Sequence, residues 1–368
     1  MLLSRDSMFV EQYAYGRNRL YSRGVVLGGE YAVFEHERFA PPQVTSEERI
    51  LESAFEVLWD SYSMSSDAYL SRANSAEEAF NAEMKALLSQ TDGEPDEGSI
   101  SMVILAAGYG TRFSAEADRV PELKGRPKAL LPIDGRPVLE WLLEGVKDIK
   151  EIQRIIVVTN EKYIEQFENW KARATEPRYR DPNHFKIISD GTRSIEEKRG
   201  AIGALHFAVT REDIKGNVLV AGADNFFEGS FKELVQSFLN KKVGMVVTHD
   251  EGSTDKIAGR LGAVKQDITG RIIDFEEKPQ YPKSTFASTF CYLLTKENLQ
   301  HLKGYVRGGF SSDNAGEFIK HLVTEGEVLE AFQYAGEWND VGTFAEYRNL
   351  RDNIERPERT LTKGVGKS

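Results

Sequence analysis

The 368-residue sequence has one cysteine, Cys291, so no disulfide can form within the chain and a reducing location is expected. Within "STFCYLL" that cysteine reads as a small buried hydrophobe, since no neighbour would favour a thiolate. Histidines number only six, and no Ser-His-Asp or metal-histidine arrangement can be assembled from them; His206 and His321 fall in helical stretches and read as structural. No apolar run approaches the roughly 18 residues of a membrane span, and the opening "MLLSRDSMFVEQYAYGRNRL" has no signal-type apolar core. A cytoplasmic protein without membrane association is therefore expected. Basic charge is in deficit, 47 Lys and Arg against 58 Asp and Glu, which argues against a nucleic-acid partner.

The acidic excess is concentrated in one place. Residues 1–97 hold 8 Lys and Arg against 18 Asp and Glu, so the remainder is almost neutral and free to carry locally basic clefts for small anions. The stretch "SQTDGEPDEGS", residues 89–99, is acidic and rich in Gly, Pro and Ser, which marks a linker. Ahead of it, helices are expected over 45–65, with Ile50, Leu51, Ala54, Phe55 and Leu58 at helical spacing, and over 75–90. The segment "RGVVLGGEYAVFE" reads as a short hairpin. We therefore divide the chain into an accessory, mainly helical region (1–98) suited to packing or homo-oligomerisation, a main domain (99–355) and a polar tail (356–368).

Beyond the linker, apolar β-rich runs ("SMVILAA", "RIIVVTN", "FKIISD", "NVLVAGAD", "GMVVTHD") alternate with helical stretches ("PVLEWLLEGVKDI", "IGALHFAVT", "FKELVQSFL"). Such alternation predicts an α/β domain with a Rossmann-like, doubly wound, mostly parallel mixed sheet, in which ligands bind at the carboxyl ends of the strands. The loop "LAAGYGTRF" (105–113) lies at that end of the first strand. It is no dinucleotide fingerprint, because Phe113 stands where a third glycine is needed, and no P-loop, because no Lys-Ser/Thr pair follows. Alone, it is a two-glycine strand-to-helix turn.

Its surroundings say more. The run "ILAAGYGTRFSAEADRVPELKGRPKALLPIDGRPVLEW" resembles the signature of the sugar-1-phosphate nucleotidyltransferases, also called nucleoside-diphosphate-sugar pyrophosphorylases, of the glucose-1-phosphate thymidylyl- and uridylyltransferase type. Their pattern is L-A-A-G-x-G-T-R, then P-K-x-L-L-P and a G-x-P-x-L helix start. Leu105, Ala106, Ala107, Gly108, Gly110, Thr111 and Arg112 match the first part; Pro127, Lys128, Leu130, Leu131 and Pro132 match the second. Glycines let backbone amides approach a triphosphate, Arg offers a planar fork to its oxygens and Lys a point charge. Arg112 and Lys128 stand 16 positions apart, wider than the family pattern, so a longer or mobile loop over the nucleotide is expected.

The resemblance extends to about residue 348. "VLVAGADNFFEG" looks like the strand that ends in the family's G-D-N, with Ala223 in place of the glycine; it implies Asp224 as a Mg²⁺ ligand and Asn225 as a substrate residue. Read alone, a strand-ending Asp is as often a turn former. "RIIDFEEKP" is similar to the F-x-E-K-P block, which implies Glu277 on sugar hydroxyls and Lys278 on the sugar phosphate; an exposed charged strand end is the plainer reading. "GEWNDVGTFAEY" resembles W-x-D-x-G-T and implies Asp340 as the second metal carboxylate. Gly200 and Ala201, in "EEKRGAIGALHF", match the small-residue turn that holds the base, although helix packing explains them equally well.

Together these imply Mg²⁺-dependent transfer of a nucleotidyl group from an NTP to a sugar 1-phosphate, with Arg112, Lys128 and Lys278 as the catalytic charges. The insert "TRSIEEKR" matches neither a thymidylyl nor a guanylyl pattern, while the F-x-E-K-P block points to dTTP or UTP. A cytidylyltransferase acting on phosphocholine or a phosphonate, and a catalytically silent regulatory relative, are the alternatives weighed. The first has no need of "FEEKP", and the second would lack the charged residues found here.

Overall fold

Parallel strands buried on both faces require nearly continuous apolar runs, and the segment "ISMVIL", apolar but for Ser101, is buried at all of its positions. The computed structural model describes residues 98–174 and 176–356, together with residues 2–3, 7–11, 23–27 and 31–37. The chain forms two compact units, Met1–Glu94 and Pro95–Ser368.

In the first unit, β1 (Leu2–Leu3), β2 (Ser7–Glu11), β3 (Arg23–Leu27) and β4 (Tyr31–Glu37) form an antiparallel sheet in the order β1-β2-β4-β3. Strands β3 and β4 are the hairpin read from "RGVVLGGEYAVFE", with Leu27 opposite Tyr31. The helices expected over 45–65 and 75–90, the linker up to residue 97 and the tail beyond Arg356 lie outside the described residues.

The second unit is built in chain order from β5 (Ile100–Leu105), α1 (Thr111–Ala117), β6 (Pro132–Ile133), β7 (Arg136–Pro137), α2 (Val138–Glu144), β8 (Ile152–Thr159) and α3 (Ile164–Arg173). Next come β9 (Phe185–Ser189), α4 (Gly200–Arg211), β10 (Asn217–Gly222), β11 (Asn225–Glu228), α5 (Lys232–Lys241) and β12 (Gly244–Asp250). The unit closes with β13 (Gly262–Gln266), β14 (Ile272–Glu276), β15 (Phe286–Leu294), α6 (Lys296–Arg307), α7 (Ala315–Thr324), β16 (Leu329–Gln333), β17 (Glu337–Asp340) and α8 (Phe344–Ile354). All five predicted apolar runs are strands of one sheet. Its core, β9-β8-β5-β10, is parallel; β15 joins β10 antiparallel and carries β12 and β13, with β16 parallel to β12 and β14 antiparallel to β13.

Alternation along β5 divides the side chains between two cores, as a period of two demands. Ile100, Met102 and Ile104 pack with Leu139, Leu142 and Leu143 of α2, Phe167 of α3, and Leu234 and Phe238 of α5. Val103 and Leu105 face the other way, toward Ile202 and Leu205 of α4, Leu302 of α6, and Phe318 and Leu322 of α7. Helices on both faces make the sheet doubly wound. Cys291 lies within the first core, where burial pushes its thiol up, as expected of an inert hydrophobe.

A third, smaller core sits apart from the sheet. It gathers Phe113 and Ala117 of α1, Leu123, Leu131, Ile133, Trp141, Phe226 of β11, Val341, and Tyr347, Leu350 and Ile354 of α8. Phe113 meets Tyr347 edge-on at 5.9 Å, and Trp141 lies 4.9 Å from Phe226. This cluster explains the wide spacing between Arg112 and Lys128. The intervening residues form α1 and a set of turns, anchored by Phe113, Ala117 and Leu123, and tied by Gln166 Nε2 donating to the Gly125 carbonyl at 2.9 Å.

Candidate active site

Strand β10 carries the chain to Asp224 at the carboxyl edge of the sheet, where the Ala223 amide donates to the Leu105 carbonyl at 3.0 Å. The chain then leaves the sheet as β11 and pairs antiparallel with β17, which sets Asn225 opposite Asp340. The Val341 amide donates to the Asp224 carbonyl at 2.9 Å, closing the end of this ribbon. Buried Phe226 and Val341, next in sequence on either strand, root it in the third core. Two aspartates far apart in the chain are thereby held side by side.

Asn225 supports Asp224. It is buried, accepts from Trp338 Nε1 at 2.9 Å through Oδ1, and donates to Asp224 Oδ1 at 3.4 Å through Nδ2. The amide expected to meet substrate is thus engaged with Trp338 and Asp224. The W-x-D-x-G-T block is equally local in its logic. Trp338 holds Asn225, a Cβ on Gly342 would come within 3.1 Å of Asp340 Oδ2, and Thr343 caps α8 reciprocally with Glu346.

Lys128 opens a short 3-10 turn between Pro127 and Pro132, whose buried Ala129 and Leu130 fix its apolar side. The Lys128 ammonium lies 3.2 Å from Asp224 Oδ2. Its stem runs beside the glycine loop, since a Cβ on Gly110 would stand 3.9 Å from Lys128 Cγ. Gly110 has φ +61°, the left-handed turn that lets the loop enter α1, and among the described residues, its two chain neighbours apart, none comes within 4 Å of where a Cβ on Gly108 would be. Thr111 starts α1 and Arg112 follows it; the side chain of Arg112 lies outside the described residues.

The loop is fastened from beneath by residues that sequence reasoning missed. Asn160 Nδ2 donates to the Ala107 carbonyl at 2.9 Å, and the Ala106 amide donates to Val158 at 2.8 Å. Tyr109 donates from its hydroxyl to Thr192 Oγ1 at 3.1 Å, and Thr192 in turn donates to buried Asp190 at 2.7 Å. Leu105 and Ala106 are buried and act through their backbone. The only sequence signal of Asn160, Asp190 and Thr192 is the polar run at the end of each apolar strand, "TN" closing β8 and "SDGT" closing β9.

Electrostatically the ribbon crowds two carboxylates together. Burial and the adjacent Asp224 carboxylate push Asp340 up to about 7, against the pull of Lys128. Two crowded carboxylates sharing one ammonium suit a divalent cation. Among the described residues no group of three or more His, Cys, Asp or Glu side chains is placed to hold a metal ion by itself.

Glu277 and Lys278 follow β14. Burial raises the Glu277 pKa, countered by Lys278, whose Nζ lies 3.4 Å from Glu277 Oε1. Lys278 also donates to Asn314 Oδ1 at 3.2 Å. Gly200 and Ala201 open α4 against the 312–313 backbone: Ala201 and Ile202 donate to the Asp313 and Ser312 carbonyls at 3.4 and 2.9 Å. His206 and His321 sit in α4 and α7, the latter 5.1 Å from the rings of Tyr305 and Phe310, as structural residues would.

The geometry can be set beside known proteins. The bifunctional protein GlmU of Methanocaldococcus jannaschii is 29% identical over 245 residues, 65% of this chain and 50% of its own length. GlmU of Methanococcus aeolicus is 27% identical over 272 residues, 72% of this chain and 57% of its own length. The chain thus spans about half the length of these relatives. In fold it resembles UDP-glucose pyrophosphorylase complexed with UDP-glucose, with a TM-score of 0.56, 17% identity, and coverage of 69% of this chain and 98% of that one. The model of the nucleotidyl transferase family matches residues 101–356, the span that holds the glycine loop, Lys128 and both aspartates, and the chain belongs to that family.

Proposed function

We propose that this protein transfers a nucleotidyl group from a nucleoside triphosphate to a sugar 1-phosphate, releasing pyrophosphate. The observation that carries the reading is the antiparallel pairing that sets Asp224 beside Asp340, with Lys128 bridging from Asp224 to the glycine loop. A phosphate oxygen of the acceptor attacks the α-phosphorus in line, and the bond to the β,γ-pyrophosphate breaks. The acceptor is largely ionised at neutral pH, so no general base is needed, and the site has only to hold two polyanions together.

Each residue then has a task. The amides of the 107–110 loop and Arg112 cradle the triphosphate; Lys128 neutralises charge gathering near the α-phosphate; Glu277 accepts from sugar hydroxyls; Lys278 meets the acceptor phosphate. Asp224 and Asp340 would hold Mg²⁺, which when bound offsets negative charge on the phosphates. The F-x-E-K-P block supports dTTP or UTP as the donor.

The test is pyrophosphate release across the nucleoside triphosphates with a panel of sugar 1-phosphates and Mg²⁺. Turnover with phosphocholine or a phosphonate and with no sugar phosphate would sink the proposal. A truncation adds a second expectation. Residues 98–368 contain every site residue named above, so removal of residues 1–97 should leave kcat within about threefold of wild type. Gel filtration of both forms would report any change in oligomeric state, and lost chemistry would return the first unit to the catalytic machinery. Among the described residues no helix is long and apolar enough to cross a membrane.

A further inference from the structure

Asn314 stands immediately before α7, the position where an Asn side chain ordinarily caps a helix, yet its side chain makes no capping bond. Its Oδ1 instead accepts from Lys278 Nζ at 3.2 Å. Lys278 is itself unusual, with φ +48°, in the left-handed region that a long side chain seldom occupies unless its surroundings impose it. Next to it, Glu277 fills the space where a Cβ on Gly316 would lie, and Phe275 Cε1 is 2.6 Å from the same point. The first turn of α7 is therefore shaped around the Glu277–Lys278 pair.

The residues just before Asn314 are pinned from the opposite side. The carbonyls of Ser312 and Asp313 accept from the amides of Ile202 and Ala201, and Lys198 Nζ pairs with Asp313 Oδ2 at 2.8 Å. Gly200, at φ +73°, has no room for a side chain, since a Cβ there would lie 2.6 Å from the Ser312 carbonyl carbon. Two amides at the start of α4, which could otherwise meet a nucleotide, are thus already engaged.

We infer that residues 312–314 form a strap, tied at one end to the start of α4, whose Asn314 is a positioning residue that holds the Lys278 ammonium for the acceptor phosphate. Gly200 on this account serves the acceptor end of the site and not the base. The inference rests on the function proposed above.

Steady-state kinetics of the full-length protein test it, with Mg²⁺ and the nucleoside triphosphate and sugar 1-phosphate that the wild type turns over. Asn314→Ala should raise KM for the sugar phosphate about tenfold or more, because a hydrogen bond to a charged group is lost, and leave KM for the triphosphate within about twofold. In a Lys278→Met background the same change should add less than about twofold. Gly200→Ala should raise the same acceptor KM, and combined with Asn314→Ala should be no worse than either alone. If Gly200→Ala does not fold, Lys198→Ala loosens the strap from outside and should raise acceptor KM by about two- to fivefold. An unchanged acceptor KM in Asn314→Ala, a full effect without Lys278, or a Gly200 or Lys198 effect confined to the triphosphate would each overturn the inference. Were the wild type itself to turn over no sugar 1-phosphate, the functional reading would fail and this one with it.

Discussion

Asp224→Asn is expected to lower turnover by about 10³-fold while leaving the fold in place. The substitution keeps the shape and hydrogen-bonding capacity of the side chain and removes only its charge. That charge faces Lys128 at 3.2 Å and stands beside Asp340 across the ribbon, so its loss unbalances Lys128 and weakens the cation site proposed above. Removing one preorganised electrostatic group from a site of this kind costs about 10²–10³ in rate, and a metal ligand should lie at the upper end. Stability should change little, because the Asp224 side chain is a third exposed, its ion pair with Lys128 is correspondingly weak, and the loss of that pair is offset by relief of the repulsion from Asp340. Raising Mg²⁺ should recover part of the activity. Turnover within about tenfold of wild type at ordinary Mg²⁺ would show that Asp224 has been misassigned.

Asp340→Asn should abolish turnover in the same assay yet make the metal-free protein more heat-stable, by a few degrees at pH 8. The sign follows from its raised pKa of about 7, against 3.8 for an ordinary Asp. Above pH 7 the carboxylate is charged in both folded and unfolded states, and the folded state bears the full cost of burial beside Asp224. As pH falls from about 7 to about 4, the folded carboxyl takes up a proton first, and that cost fades. The advantage of Asn over Asp should therefore be largest at pH 8, smaller at pH 5.5 and absent near pH 4. Mg²⁺ should reverse the order, raising the melting temperature of the wild type but not of the variant. A variant less stable than wild type in chelator at pH 8 would mean that Asp340 is held by partners other than a cation.

Much of this molecule could be read from local pattern. The five apolar runs became strands, most of them because a strand buried on both faces needs a nearly uninterrupted apolar stretch, while β9, at the sheet edge, leaves Lys186 exposed. The compound motif around the glycine loop was legible because its parts are close in sequence: Gly110 needs a positive φ, and Pro127 and Pro132 bound the turn that aims Lys128. The partners of β15 were not legible, since one nine-residue strand serves β10, β12 and β13. Nor was the third core, in which the residues after Arg112 appeared as a loop and proved to be α1 and turns resting on Phe113, Ala117 and Leu123.

Small polar residues divide along the same line. Asn225 matched a motif, but only the folded chain shows it buried, with hydrogen bonds to Trp338 and Asp224. Asn160, Thr192 and Asp190 ended ordinary strands, and only the folded chain hangs the glycine loop on them. The sequence by itself determined which residue types could hold phosphates and a cation, because charge, glycine and strand periodicity are properties of short segments. Tertiary structure alone decided which of them meet. The ribbon that joins Asp224 to Asp340 and the strap that joins α4 to Lys278 are pairings between distant segments, and their registers are set by packing that no local window contains.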